Sequence, residues 1–206
     1  MLVYGQAGAG KTSLIPTLPS PLVISAEAGL LSIADADVPF VEVRSADDLG
    51  EIFEFVKSSD EAKQYRTICL DSISEIGEVV LGEAKRTAKD PRQAYGEMQT
   101  TMGQVVREFR DLPGRHVYMT AKLDRTQDEM GRMLYSPSMP GIKAGLALPY
   151  QFDIVAALRM EKDEEGVIQR ALMLESDGLW QAKDRSGKLA AWEAPDLGAL
   201  IEKMGG

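Results

Sequence analysis

The sequence predicts an α/β domain with a mainly parallel sheet, and three observations lead to this fold class. Short apolar, β-prone runs occur throughout the first 120 residues. Segments whose apolar residues recur at helical spacing separate these runs, as in parallel sheets. Two further runs, 153–160 and 167–174, are joined by the short polar segment 163–166 and predict an antiparallel pair near the carboxyl end.

The individual elements follow from the same patterns in chain order. Strands are predicted at residues 2–4, 21–25, 38–43, 66–71 and 116–120. Helical spacing marks residues 49–56, 73–80, 98–109 and 196–204. Ser45 is the predicted cap of the first of these helices, because an acidic residue, Asp48, follows three positions later. The interval 123–149 shows no clear period and is expected to be irregular.

Length and composition set the bounds of the interpretation. With 206 residues, 44% of them hydrophobic, we expect one domain that spans residues 1–206. No apolar run reaches the roughly 18 residues of a membrane span, so no membrane partner is expected. The single cysteine, Cys69, cannot form an internal disulfide, which fits a reducing, cytoplasmic compartment. The first strand is short, so either the natural protein begins upstream or this strand is simply brief.

The strongest motif is the glycine-rich loop at residues 5–12, GQAGAGKT, which fits G-x-x-x-x-G-K-[ST] at every fixed position. Glycines let successive N–H groups point at phosphate oxygens, Lys11 would reach the β- and γ-phosphates, and the Thr12 hydroxyl would bind Mg²⁺. The alternative, a Gly/Ala-rich turn that binds nothing, is disfavoured because Gly-Lys-Thr completes the pattern. A helix should follow, shortened by Pro16 and Pro19. The sequence therefore predicts bound ATP and Mg²⁺, held by Gly5, Gln6, Ala7, Gly8, Ala9, Gly10, Lys11, Thr12 and Ser13.

Polar residues end three other predicted strands, where ligands bind in open α/β sheets. Asp71 is the candidate metal-binding acid of a neighbouring strand, and otherwise a cap of the next helix. Glu27 is the candidate general base that polarises the attacking water, and otherwise a solvated loop glutamate. Thr120 is the candidate sensor of the γ-phosphate, followed by Lys122.

The order of these motifs resembles the RecA-like ATPase core. The stretches GQAGAGKT, ICLDS, QAYGEM, RDLPGRHVYMTAK, MPGIKAGLALPYQFD and AKDRSGKL together resemble a phage family of RecA-like nucleotide-binding proteins that includes the Sak-type single-strand-annealing proteins. The resemblance runs from residue 5 to about residue 190. It implies a RecA-like fold, ATP hydrolysis with Glu27 as the catalytic glutamate, and the host cytoplasm if the gene is phage-encoded.

The stretch AKDRSG resembles the Lys-x-Arg-x-Gly element of DnaB-type helicases and RadA-type proteins. In those proteins the lysine and arginine reach the γ-phosphate that the neighbouring subunit binds. The resemblance implies that Lys183 and Arg185 are catalytic in trans and that the chain forms a ring or filament of identical copies. A basic surface turn is the other interpretation, and Lys143 is a second candidate for the cation.

Two segments are candidates for contact with single-stranded DNA. The chain has a formal net charge of −9, so a DNA site must be local. In RecA, DNA-contacting loops occupy the intervals that correspond here to the segment after Asp71 and to residues 124–140. The candidate residues are Lys85, Arg86, Lys89 and Arg92 in the first segment, and Arg125, Arg132 and Tyr135 in the second. The cations would bind phosphates and Tyr135 would stack on a base, but a solvated helix face and an ordinary hairpin explain the same residues.

Three functions are compatible with these motifs. The first is a DNA-dependent ATPase of the recombinase or annealing type, with a single-strand-binding protein as a further partner. The second is a nucleotide or small-molecule kinase, although no arginine-rich lid is evident. The third is a non-enzymatic switch that binds ATP and recruits a replication or recombination partner, against which Glu27 argues.

Overall fold

A ten-stranded sheet forms the centre of the structure, a computed structural model that describes residues 1–27, 31–162 and 164–205. The strands are β1 (Leu2–Gly5), β2 (Pro21–Ser25), β3 (Phe40–Glu42), β4 (Thr67–Asp71), β5 (His116–Gln127), β6 (Met133–Pro137), β7 (Ile154–Lys162), β8 (Ile168–Met173), β9 (Lys183–Asp184) and β10 (Trp192–Glu193). Their order is β10-β8-β7-β1-β5-β4-β2-β3, with β6 paired to β5 and β9 paired to β7. All neighbours from β7 to β3 are parallel, whereas β6, β8, β9 and β10 pair antiparallel. The predicted α/β fold is confirmed.

Five α-helices occur in the part of the chain that the structure describes. They are α1 (Ala46–Ser58), α2 (Ile73–Thr87), α3 (Pro91–Arg110), α4 (Ile142–Ala147) and α5 (Leu197–Met204), with short 3-10 helices at Thr12–Thr17, Leu31–Ile33, Glu61–Gln64 and Leu148–Gln151. The predicted cap of α1 is confirmed, because Asp48 N donates to Ser45 Oγ (3.1 Å) and Ser45 N donates to Asp48 Oδ2 (3.0 Å). None of these described helices combines the length and the apolar character needed to cross a bilayer.

The sheet is buried on both faces, and β1 contributes side chains to the core on each of them. Leu2 and Tyr4 point into the core that α1, α2 and α3 cover, whereas Val3 points into the core under the Thr12–Thr17 helix and α5. This alternation is the period of two that a strand imposes. Because β1 lies between β5 and β7, its carboxyl end is held at the middle of the sheet edge.

Two sequence-based expectations about the strands are wrong. The strand predicted to end at Thr120 continues as β5 to Gln127 and pairs with β6, so much of the interval expected to be irregular is a β-hairpin. Residues 124–127 are polar and show no alternation of apolar and polar side chains. This part of β5 projects beyond the sheet, where both of its faces are exposed, so the sequence did not predict it as a strand. In addition, β4 is not adjacent to β1, because β5 lies between them.

Candidate active site

The glycine-rich loop leaves β1 at Gly5 and enters the short helix at Thr12. Gly8 and Gly10 have φ values of 74° and 100°, a backbone region that glycine adopts at little cost. Lys11 curls back over the loop, and its Nζ donates to the carbonyl oxygens of Gly5 (3.0 Å) and Gln6 (3.1 Å). The Lys11 carbonyl in turn accepts a hydrogen bond from the Tyr118 hydroxyl (2.9 Å). The loop is therefore held in shape by contacts of its own and by β5.

The charge of Lys11 is partly desolvated. Burial lowers the pKa of the Lys11 ammonium, and the nearby carboxylates of Asp71 and Glu27 oppose that shift. An ammonium in such a position gains from any further anion, because added negative charge offsets the cost of desolvation. The side chain is thus suited to bind a phosphate.

Asp71 is the centre of a hydrogen-bonded cluster at the carboxyl edge of the sheet. Its Oδ2 accepts from Thr12 Oγ1 (2.6 Å) and its Oδ1 accepts from Thr120 Oγ1. Asp71 is 5% exposed and Thr120 is fully buried. Thr120 belongs to β5, the strand between β4 and β1, and its bond holds the Asp71 carboxylate from that side. A carboxylate beside a threonine hydroxyl is a hard oxygen donor pair, so these residues fit Mg²⁺ bound with a nucleotide.

Glu27 lies across the same cavity from the loop. Its Oε1 is 3.5 Å from Ser72 Oγ, and its backbone N–H donates to Ser25 Oγ (3.1 Å). Ser72 follows Asp71 and caps α2, and the Asp71–Ser72 peptide bond is cis. Ala28 and Gly29, which follow Glu27 in the chain, lie outside the described residues.

A cavity of about 890 Å³ joins these groups at the sheet edge. The predicted residues that line it are Gln6, Ala7, Gly8, Gly10, Lys11, Thr12, Ser13, Glu27 and Asp71. Gly5, Ala9 and Thr120 do not line the cavity, and all three are buried. Loop, acid and candidate base therefore face one space large enough for a nucleotide.

A comparison with known families decides the class of this site. A family model described as an AAA domain matches residues 1–186. The chain belongs to this AAA domain family. It is an AAA-type P-loop ATPase domain, which implies that it binds ATP, and the glycine-rich loop is its phosphate-binding loop. No curated protein matches the chain.

Two cations that the sequence-based nucleotide site did not include line the cavity of the AAA domain, and a third contacts the loop backbone from outside the cavity. Lys122 lines the cavity and forms an ion pair with Glu75. Arg125, predicted to contact DNA, also lines the cavity. Arg170 of β8 donates from Nε to the Ala9 carbonyl (3.0 Å). Lys122 was accessible to sequence reasoning, since it follows Thr120 by two residues, but nothing local connects Arg170 to the loop.

Lys183 and Arg185 lie away from the cavity of their own AAA domain. Lys183 pairs with Val155, which pairs with Leu2 at the start of β1, the end opposite the loop. Arg185 forms an exposed ion pair with Asp153 (3.2 Å). Burial, and then the charge of Arg185, lower the pKa of Lys183. Neither cation is positioned to reach a nucleotide in the same copy.

The other candidate cations are spread over the surface of the AAA domain. Lys85 and Arg86 end α2, Lys89 precedes α3 and Arg92 begins it, and all four are exposed. Among the described residues none of the four forms an ion pair, although Lys85 Nζ lies 5.6 Å from the centre of the Tyr95 ring. Lys143 is exposed on α4, beside a groove against α3.

The β5–β6 hairpin uses its candidate DNA residues for internal contacts. Arg132 Nε pairs with Asp128 Oδ2 (2.8 Å) at the turn. The Tyr135 ring is stacked on Trp180, with centroids 4.1 Å apart and planes at 11°. Arg125 lies 6.0 Å from the Tyr135 centroid. A base could stack on Tyr135 only if one of these neighbours moved, so this part of the DNA prediction gains no support from the geometry.

Proposed function

We propose that this AAA domain is a RecA-like ATPase of the phage recombination or annealing type, which hydrolyses ATP between copies of itself on single-stranded DNA. The observation that carries the proposal is the convergence of Lys11, Thr12 and Asp71 on one cavity at the sheet edge. The matched family supports ATP hydrolysis. The DNA substrate rests on the resemblance to the Sak-type proteins and on the exposed cations at residues 85–92.

The residues of the cavity divide the chemistry among them. The loop N–H groups and Lys11 would hold the phosphates, and Thr12 and Asp71 would hold Mg²⁺, which would neutralise charge on the phosphate oxygens. Glu27 accepts the proton of the attacking water, and Ser72 orients its carboxylate. Thr120 bonds to Asp71 and does not line the cavity, so any sensing of the γ-phosphate by Thr120 would be indirect.

In this proposal ATP lies between two copies, because Lys183 and Arg185 are at the edge of the sheet opposite the loop. Lys183 and Arg185 sit at the amino end of β1, and the loop sits at its carboxyl end. A head-to-tail contact between copies would bring the cations of one copy to the cavity of the next. Such heterologous contacts generate rings or filaments. The cations would then stabilise charge in the transition state.

The experiment that tests the proposal is a steady-state measurement of ATP hydrolysis with no nucleic acid, with single-stranded DNA and with duplex DNA. We expect a slow basal rate and strong stimulation by single strands. A rate indifferent to DNA would contradict the DNA substrate. Phosphate transfer from ATP to a small acceptor, in place of release, would indicate a kinase instead. ATP binding without any turnover would indicate a switch.

The basic segment between α2 and α3 is the proposed DNA contact, since its cations are exposed and free of carboxylate partners in the described chain. A double variant, Arg86→Gln with Lys89→Gln, is expected to weaken DNA stimulation and to leave the DNA-free rate unchanged. Losing two phosphate contacts should make the slope of log affinity against log salt shallower by about 1.4. The matched control, Lys57→Gln with Lys63→Gln, removes two exposed cations elsewhere. Equal salt slopes in both double variants would place the DNA elsewhere.

A further inference from the structure

Arg170 touches the back of the phosphate-binding loop, although it lies 161 residues away in the chain. Its Nε donates to the carbonyl oxygen of Ala9 (3.0 Å). A Cβ atom built on Gly10 would lie 3.5 Å from the same Nε, so the guanidinium also covers Gly10. Neither Ala9 nor Arg170 is among the residues that line the cavity. The contact is therefore made to the loop backbone from outside the nucleotide space.

The pairing of strands explains how Arg170 reaches the loop. β7 runs parallel to β1 but continues past its end, because Tyr4 pairs with Ala157 while β7 extends to Lys162. Arg170 pairs with Met160 in this overhanging part. Arg170 is on the same face of β8 as the buried Leu172, which packs in the core cluster that includes Ala9. The β7–β8 hairpin thus stands beside the loop and directs one cation at it.

The positive charge of Arg170 polarises the loop peptide to which it donates a hydrogen bond. In the described residues its guanidinium forms no ion pair, whereas Arg159 on the same hairpin pairs with Glu161. A charged donor makes a stronger hydrogen bond than a neutral one and polarises the peptide group that accepts it. The accepting peptide here joins Ala9 to Gly10, so the polarised unit includes the Gly10 N–H. In a phosphate-binding loop such N–H groups cradle the α- and β-phosphates.

We propose that Arg170 is a positioning residue for the nucleotide, which fixes and polarises the Ala9–Gly10 peptide so that the loop binds phosphate more tightly. This inference rests on the proposed nucleotide binding at the loop. It differs from the trans-acting cations, because Arg170 serves the loop of its own copy and does not touch the γ-phosphate. Since ADP and ATP share the phosphates that the loop cradles, the effect is equal for both nucleotides.

Three substitutions separate the hydrogen bond from the charge. Arg170→Met removes both, Arg170→Lys keeps the charge, and Arg170→Gln places a neutral N–H donor at the position of Nε. Fluorescent analogues of ADP and of non-hydrolysable ATP serve as probes in equilibrium titrations, and the saturated rate of hydrolysis and the melting temperature are measured beside them. Lys162→Met is the matched control, since it removes an exposed cation from the same hairpin.

The Met and Gln variants are expected to bind both nucleotides about tenfold more weakly, the scale of one charge-assisted hydrogen bond. Arg170→Lys should remain within about threefold of the wild type, and the saturated rate should be unchanged in all variants. Wild-type affinity in Arg170→Met would overturn the proposal, and so would a lower saturated rate with unchanged affinity. Wild-type affinity in Arg170→Gln would overturn the role of the charge. Failure of the wild type itself to bind either analogue would contradict the proposed function instead.

Discussion

A Lys11→Met variant is expected to hydrolyse ATP roughly 10²–10³-fold more slowly than the wild type while it keeps its fold. Methionine retains most of the aliphatic length of lysine but carries no charge for the phosphates. The fold should survive because, within the described residues, Nζ bonds to carbonyls of its own loop, those of Gly5 and Gln6. Burial lowers the pKa of Lys11, so removal of the charge also removes a desolvation cost. Phosphate release at saturating ATP and the melting temperature are the two measurements.

The control for Lys11→Met is Lys57→Met, which removes an exposed lysine from α1. It should leave both the rate and the melting temperature as they are. Near-normal hydrolysis by Lys11→Met would mean that the loop does not hold the reacting phosphates, whatever its sequence.

The second large effect is expected at Asp71, where two substitutions separate the metal from the fold. Asp71→Asn and Asp71→Ala should both lose hydrolysis by about 10² or more, because neither offers a carboxylate to Mg²⁺. Asparagine still has an oxygen for one threonine hydroxyl and an amide group for the other. Alanine leaves the hydroxyls of Thr12 and Thr120 unpaired, and Thr120 is fully buried. Only Asp71→Ala should therefore lower the free energy of unfolding, by about 1–3 kcal/mol.

Hydrolysis rates across a Mg²⁺ titration and urea unfolding without nucleotide measure the two effects at Asp71. Wild-type turnover in Asp71→Asn would remove this residue from the metal site. An equal decrease in the free energy of unfolding in both variants would show that the charge of the Asp71 carboxylate stabilises the fold, rather than its two acceptor oxygens.

The parts of the site that the sequence predicts are those encoded by neighbouring residues. GQAGAGKT specifies the loop by itself, because positive φ angles at Gly8 and Gly10 and the Lys-Thr pair are local requirements. Outside the site, the capping box at Ser45 is a local signal of the same kind, and within it so is Asp71, the acid that ends β4. The loop and Asp71 meet at one edge because parallel strands bring their carboxyl ends together.

What the sequence does not predict depends on which distant strands are neighbours. The place of β5 between β1 and β4, and with it the bond from Thr120 to Asp71, requires the strand order. Arg170 reaches Ala9 only through the pairing of β7 with both β1 and β8. Tyr135 has the exposed-loop context of a base-stacking residue in the sequence, yet Trp180, 45 positions later, covers its ring. No local pattern carries these long-range pairings.

The proposed hydrolysis of ATP between two copies of the chain is best tested by mixing two variants that are each inactive. Lys11→Met lacks a working loop and Arg185→Met lacks the arginine proposed to act in trans, so each alone should be nearly inactive. In an equal mixture roughly a quarter of head-to-tail interfaces combine an intact loop with an intact Arg185. We expect hydrolysis to recover toward that fraction of the wild-type rate. A mixture no more active than the mean of its two components would contradict a shared site between copies.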